Sequence, residues 1–238
     1  SYFLSRTAFG VLNLIIELDK LRQVNKSSAE LMQMTIIIIA ITTPISIMAF
    51  YRPKFMDMLK FNAFHIYEAN EGWRFITYGL VHANWLHLII NMYVLYNFGL
   101  LVESYFGYFF GGKASYYYLM LYLGGLAISV VSAYQKNKGN IFYNAVGASG
   151  AISGIIFSAI IFNPFMSLRF IFIPISFPAI LFGAAYLIYS WFMSKKGDSQ
   201  IGHDAHFWGG VYGIVFTIVL KPALAINLFE QLTRIFQN

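Results

Sequence analysis

Six stretches of mostly apolar residues recur along the chain, separated by polar or proline-containing segments. A helix that rises 1.5 Å per residue needs about 20 residues to cross about 30 Å of hydrocarbon. The stretches are residues 31–51, 84–106, 115–134, 148–162, 178–193 and 203–220. This pattern predicts an all-α membrane protein, a six-transmembrane-helix bundle.

The segments between and beyond these stretches differ in character. Residues 52–83 are long and polar but rich in Phe and Trp, which predicts an interfacial loop between helices 1 and 2. Residues 1–30 place apolar side chains on one helical face, which favours an N-terminal interfacial amphipathic segment, although a tail without fixed structure fits equally well. We therefore expect a membrane domain over residues 31–221, followed by a C-terminal amphipathic tail over 222–238.

Composition excludes several protein classes. Of the 238 residues, 58% are hydrophobic and 11% are charged, whereas an ordinary soluble domain carries about 25% charged residues. A soluble globular enzyme and a disordered chain are excluded, and the lipid bilayer is the expected environment. The net charge of +6 is scattered and forms no basic face, so no nucleic-acid partner is expected. Cysteine is absent, which excludes disulfides and thiolate metal sites.

Polar residues within the apolar stretches are costly in lipid and are therefore candidates for function. The first cluster is His82, His87 and Asn91. On a helix, His87 and Asn91 lie one turn apart on the same face, whereas His82 lies about 140° away from His87. This predicts that His87 and Asn91 point together into one cavity and that His82 is structural. Hydrogen bonding to neighbouring helices is the alternative for this pair.

Two further clusters open the fourth and sixth stretches. Gly147-Ala148-Ser149-Gly150 opens the fourth, and His203-Asp204-Ala205-His206 opens the sixth. Gly150 with Gly154, and Gly209 with Gly213, have a spacing typical of close helix packing, which is the alternative interpretation of the cluster in the fourth stretch. For the cluster in the sixth stretch the alternative is a buried histidine that packs as a hydrogen-bond donor. Prolines stop both helices at similar distances, about 21 Å beyond Ser149 and about 22 Å beyond His206. The hydroxyl and the imidazole are therefore predicted to lie at nearly the same depth.

A serine and a histidine at the same depth in the membrane are the two residue types that an acyl-transfer site needs. Serine becomes a nucleophile when a base takes its proton, and histidine suits that task at neutral pH. Ser149 opens a helix, where backbone N–H groups lack intrahelical partners, and His87 and Asn91 can add side-chain donors for an oxyanion. The pattern predicts a Ser149–His206 catalytic dyad that needs no cofactor and no metal.

These residues resemble the rhomboid family of intramembrane serine proteases over nearly all of residues 31–221. The joint order and spacing of the motifs carry this resemblance. The matching residues are Trp73, Arg74, His82, His87, Asn91, Gly99, Glu103, Gly107, Gly147, Ala148, Ser149, Gly150, Ala205, His206, Gly209 and Gly213.

The resemblance implies a six-helix bundle with a water-filled cavity, Ser149 as nucleophile and His206 as base. His87 and Asn91 are then expected beside the oxyanion. Structural roles are expected for Trp73, Arg74, His82, Glu103, Gly147, Gly150, Gly209 and Gly213. Trp73 and Arg74 would lie in the interfacial loop, and Glu103 in a hydrogen-bond network that holds this region.

One position departs from the family pattern. Many members carry a tyrosine four residues after the nucleophile, stacked on the catalytic imidazole, and this chain has Ser153 there. Phe207, Trp208 or Tyr212 are candidates to replace that ring. Asp204 is not part of the family's dyad, and we do not assign it to a triad.

The favoured function is an intramembrane serine endopeptidase that acts on transmembrane protein substrates. A catalytically silent protein of the same fold that binds membrane clients is the alternative, and a metal transporter is a more remote one. We expect a multi-pass protein of a bacterial plasma membrane, although an organellar inner membrane fits the composition equally well. The sequence does not indicate an oligomeric state.

Overall fold

The structure, a computed structural model, describes residues 33–170, 173–196 and 202–236, so the predicted segment 1–30 lies outside the described residues. The described residues are mostly helical. The helices are α1 Met34–Tyr51, α2 Pro53–Leu59, α3 Ala63–Glu68, α4 Arg74–Thr77, α5 Trp85–Phe110, α6 Ala114–Ser129, α7 Val131–Asn137, α8 Ser149–Phe162, α9 Ala179–Lys196, α10 His203–Leu220 and α11 Ala223–Phe236. The short strands are β1 Phe61–Asn62, β2 Asn144–Ala145, β3 Ser167–Phe170 and β4 Ile173–Pro178.

Apolar helices long enough to cross a membrane are present within the described ranges. Helix α1 and the helical run Trp85–Asn137 qualify by length and composition, and a third crossing is added if α10 and the following Ala223–Thr233, bent by 108°, count as one span. Helix α8 is apolar but has only 14 residues. A mostly helical domain with two to three candidate spans is therefore established, and the count of six remains a prediction.

Local sequence signals explain where the helices begin and end. The side chain of Asn84 accepts a hydrogen bond from the backbone N–H of His87 at 2.8 Å, which caps the start of α5. Helices α8 and α10 end directly before Asn163-Pro164 and Lys221-Pro222, as predicted from the prolines. The third predicted stretch, 115–134, is divided at Val130 into α6 and α7.

The segment predicted as a long interfacial loop carries secondary structure of its own. Helices α2, α3 and α4 and a 3₁₀ turn at Tyr78–Leu80 fill residues 53–80. Strand β1 pairs antiparallel with β2, which brings Phe61 opposite Ala145, four residues before Ser149. Phe61 is fully buried, with its ring against those of Phe75 and Tyr78. The segment is thus fixed to the chain that enters α8.

Helix α8 lies at the centre of the domain and contacts α5, α6, α9 and α10. Nearly all of its side chains are buried, as expected for a helix that is apolar on every face. Helix α9 is more peripheral, since Leu181 and Ile188 remain largely exposed. The predicted C-terminal tail contains α11, in which Leu224 is buried and Ile226 and Phe229 are exposed.

Candidate active site

A tight turn places Ser149 at the beginning of α8. Gly147 has a φ of 108°, a conformation that side-chain-bearing residues rarely adopt, and its N–H donates to the carbonyl oxygen of Tyr78 at 3.0 Å. The first intrahelical bond runs from Ile152 N–H to the carbonyl oxygen of Ala148. The N–H groups of Ser149 and Gly150 therefore have no acceptor within the helix.

Helices α8 and α10 approach each other through glycines at the predicted spacing. A Cβ atom on Gly209 would overlap the carbonyl oxygen of Gly150, and one on Gly213 would overlap that of Gly154. Gly150 also leaves no room for a side chain, because a Cβ there would overlap Ser129 of α6. The backbones are therefore in direct contact, as small residues at four-residue spacing allow.

This contact brings Ser149 and His206 together. Ser149 Oγ lies 2.8 Å from His206 Nε2, a hydrogen-bond distance between residues 57 positions apart in the sequence. Both side chains are half-buried. Asp204, two residues before His206, instead accepts a hydrogen bond from Lys136 Nζ at 3.1 Å. The two residues selected from the sequence are thus paired in the structure.

An aromatic ring that the sequence analysis did not select packs on His206. The ring of Tyr186, from α9, is stacked on the imidazole with centroids 6.0 Å apart and planes inclined by 24°. Of the candidates proposed from sequence, Phe207 and Trp208 pack against each other, and Tyr212 donates to the carbonyl oxygen of Met120. The sequence signal was the departure at position 153, a serine where the family pattern has the stacking tyrosine; in the structure the Ser153 hydroxyl lies 2.9 Å from that of Tyr186.

His87 lies close to the turn before Ser149. A Cβ atom built on Gly147 would lie 2.6 Å from His87 Cε1 and 2.9 Å from Nε2, so the ring edge faces this backbone. His87 Nδ1 is 3.5 Å from the N–H of Ala83, and an acceptor role for Nδ1 leaves the ring proton on Nε2. Asn91 is buried and donates one amide hydrogen to the carbonyl oxygen of His87 at 2.8 Å. This bond joins residues one turn apart on α5, and the cavity expected beside them stays a prediction.

His82 is fully buried and lies before α5 begins, so the helical-angle argument used for it is wrong. Ser46 Oγ donates to the carbonyl oxygen of Leu80, so it accepts from His82 Nδ1 at 2.9 Å. Nε2 then accepts from the N–H of Ala148 at 3.4 Å. Burial, with a smaller contribution from the neighbouring His87 imidazole, lowers the pKa of His82 to about 3. A neutral His82 therefore joins α1 to the residue before Ser149.

Trp73 and Arg74 belong to the segment between α1 and α5. Arg74 is buried and donates through Nε to the Glu71 carboxylate and through Nη1 to two carbonyl oxygens, those of Asp57 and Lys60, each at 2.7 Å. Trp73 is half exposed. Arg74 thus fixes the end of α2 within the segment between α1 and α5.

Glu103 binds the beginning of α1. Its two carboxylate oxygens accept from the backbone N–H groups of Met34 and Thr35 at 2.6 and 3.1 Å. Thr35 Oγ1 in turn lies 2.7 Å from the hydroxyl of Tyr118. These bonds lie 16 residues beyond His87 on α5, about 24 Å along the helix. Glu103 therefore holds the opposite end of the helix rather than the interfacial segment.

Comparison with known proteins assigns this chain to a family. The rhomboid domain model matches residues 69–223, about two thirds of the chain. This chain belongs to the rhomboid family. The family includes intramembrane serine proteases, and it accounts for the apolar helices found here.

Individual rhomboid relatives are distant. The chain is 25% identical over 162 residues to the rhomboid protease GlpG of Haemophilus influenzae, covering 64% of this chain and 71% of that protein. It is 36% identical over 90 residues to the mitochondrial RHOMBOID-like protein 6 of Arabidopsis thaliana, which covers 38% of this chain and 26% of the relative. The chloroplastic rhomboid-like protein 11 of the same plant is 33% identical over 102 residues, covering 42% of this chain and 33% of the relative. The chain thus spans about a quarter to a third of these plant relatives.

Proposed function

We propose that this rhomboid-family protein is an intramembrane serine endopeptidase, which hydrolyses peptide bonds in or near the transmembrane segments of membrane-protein substrates. The observation that carries the proposal is the 2.8 Å separation of Ser149 Oγ and His206 Nε2 at the start of α8. A hydroxyl paired with an imidazole is the minimal arrangement that activates serine for acyl transfer.

In the proposed first step, Ser149 Oγ attacks the carbonyl carbon of the scissile peptide bond. His206 Nε2 accepts the hydroxyl proton as the new C–O bond forms, and the carbonyl oxygen becomes an oxyanion. When the tetrahedral intermediate collapses, the C–N bond breaks and His206 returns the proton to the leaving amine. Water then attacks the acyl-enzyme by the same route, which releases the second product and restores Ser149.

The oxyanion requires hydrogen-bond donors that are fixed before the reaction. The N–H groups of Ser149 and Gly150 lack acceptors within α8, and they lie beside the nucleophile. His87 Nε2 lies at the same turn, against Gly147. We assign these groups to the oxyanion. Asn91 either adds its second amide hydrogen to the oxyanion or only holds His87 in place, by donating to the carbonyl oxygen of His87.

Two substitutions test the proposal. Ser149→Ala and His206→Ala should each abolish cleavage of a tagged membrane substrate in detergent or liposomes, while the thermal transition stays near that of the unsubstituted protein. Ser104→Ala is the matched control, because Ser104 lies near the far end of α5, next to Glu103. Cleavage by the Ser149→Ala variant at the original rate would refute the assignment.

A serine-directed fluorophosphonate separates the protease from the client-binding alternative. Labelling that disappears in Ser149→Ala and persists in Ser104→Ala indicates an activated nucleophile. Absence of labelling in a folded protein would favour a silent rhomboid that binds its clients. Substrates and cellular compartment remain predictions, since the relatives include a bacterial protein and plant proteins with mitochondrial and chloroplastic names.

A further inference from the structure

The base of the proposed dyad is covered on one face by an aromatic ring from a third helix. The ring planes of Tyr186 and His206 are 24° apart and their centroids are 6.0 Å apart, within the range in which aromatic pairs attract each other. A ring stacked in this way opposes rotation of the imidazole about its Cβ–Cγ bond. Contact with Tyr186 therefore restricts the direction in which Nε2 points.

Tyr186 is itself held in place by α8. Its hydroxyl lies 2.9 Å from Ser153 Oγ, and Ser153 is 1% exposed and one helical turn beyond Ser149. Its ring also packs against Phe157, one turn further along the same helix, with centroids 6.0 Å apart. The nucleophile's helix thus fixes the ring, and the ring in turn packs on the base.

We propose that Tyr186 is the positioning residue of His206, which keeps Nε2 aimed at Ser149 Oγ. This inference rests on the proposed function and adds a residue to it. Tyr186 acts through the imidazole and needs no contact with the substrate. Because the ring comes from α9 while the dyad comes from α8 and α10, alignment of the base requires that all three helices be seated together.

The ring and the hydroxyl of Tyr186 can be tested separately. Tyr186→Phe keeps the ring and removes the bond to Ser153, so we expect a change in kcat of less than about threefold, from one neutral hydrogen bond. Ser153→Ala removes the same bond from the other side and should have an effect of the same size. The double variant should be no worse than either single variant, since both remove one interaction.

Loss of the ring should have the larger effect. Tyr186→Leu frees the imidazole, and we expect kcat and the second-order rate of fluorophosphonate labelling of Ser149 to fall between about tenfold and a hundredfold, the range that a small misplacement of a catalytic group produces. KM should change little, because the ring is not assigned to substrate binding. Phe192→Leu is the matched control, since Phe192 is an exposed aromatic residue on the same helix.

The labelled fraction separates positioning from folding. A positioning role predicts that Tyr186→Leu is labelled to the same final stoichiometry as the unsubstituted protein, but slowly. A purely structural role predicts a reduced labelled fraction with an unchanged rate, and that result would overturn the proposal. If Tyr186→Leu shows no thermal transition, Tyr186→Met, whose longer unbranched side chain adapts better to the space left by the ring, takes its place with the same expectations.

Failure of this inference and failure of the proposed function give different results. If Ser149→Ala abolishes labelling and cleavage but the folded Tyr186→Leu variant reacts at the original rate, the protease assignment stands and the positioning role is refuted. If labelling of the unsubstituted protein does not depend on Ser149, the proposed function itself fails.

Discussion

His82 Nε2 accepts a hydrogen bond from the backbone N–H of Ala148, the residue directly before Ser149, at 3.4 Å. The other ring nitrogen binds Ser46 of α1. The imidazole therefore connects the first helix to the turn at the candidate nucleophile, although no argument from helical periodicity relates these positions.

Replacement of His82 by Leu should destabilise the protein and slow the reaction of Ser149. The variant leaves the N–H of Ala148 buried without a partner, which costs about 1–3 kcal/mol, and it releases the turn before the nucleophile. Thermal unfolding and the rate of fluorophosphonate labelling are the measurements. His65→Leu is the control, because the His65 side chain is 44% exposed. Equal melting temperatures for the His82 and His65 variants would contradict the prediction.

Stability should fall in acid partly because of His82. Its pKa in the folded protein is about 3, below the ordinary 6.5, so between these values the unfolded chain binds a proton that the folded protein does not. Stability contributed by the neutral ring is therefore complete above pH 6.5 and declines as the pH falls towards 3, with a slope approaching about 1.4 kcal/mol per pH unit. His82→Gln cannot titrate and should show a shallower decline in melting temperature with acidification. Parallel curves for the two proteins would exclude His82 as a source of acid sensitivity.

Substitution of Gly209 by Ala should separate the helices that carry the dyad. The added methyl group overlaps the carbonyl oxygen of Gly150, so α8 and α10 must move apart at a cost of about 1–3 kcal/mol. We expect a lower melting temperature and a large loss of Ser149 labelling. Gly107→Ala is the matched control, since a Cβ at Gly107 meets no atom within 4 Å. Full labelling of a folded Gly209→Ala variant would show that the dyad tolerates a wider helix separation.

Glu103→Gln should lower stability without changing the chemistry. A glutamine offers one carbonyl oxygen where the carboxylate accepts from the N–H groups of both Met34 and Thr35, and it removes a negative charge from a helix N-terminus. A loss of about 1 kcal/mol is expected, as for other N-terminal caps. The labelling rate of the folded variant should match that of the exposed-site control Glu68→Gln. A selective loss of labelling rate with unchanged melting would argue that Glu103 acts on the site instead.

The sequence predicted the features that depend on local chemistry. The prolines after residues 162 and 220 mark the ends of α8 and α10, and the glycine spacing was typical of close helix packing without indicating which helices meet. Belonging to the rhomboid family is confirmed by the domain match over residues 69–223. The roles of Ser149 and His206 remain proposals that their 2.8 Å separation supports.

Contacts between helices that are far apart in the sequence could not be predicted from the pattern of apolar and polar residues. Tyr186 is 33 residues from Ser153 and 20 from His206, and its place on the imidazole depends on the rotation of α9, which apolar periodicity does not determine in a helix surrounded by protein and lipid. The partners of Glu103 depend in the same way on where α1 begins. The short helices between α1 and α5 could not be predicted from the sequence, because aromatic and charged residues are mixed there without a regular period.

The seam formed by Gly150, Gly154, Gly209 and Gly213 joins main chain to main chain. The separation of the α8 and α10 backbones, which carry Ser149 and His206, therefore does not depend on the side chains at exposed positions. Under the proposed function, differences in which substrates are accepted would accumulate in α9 and in residues 52–83, where exposed positions can vary freely, while Ser149 and His206 stay unchanged. New substrate preferences would then arise in this scaffold without rebuilding the Ser149–His206 pair.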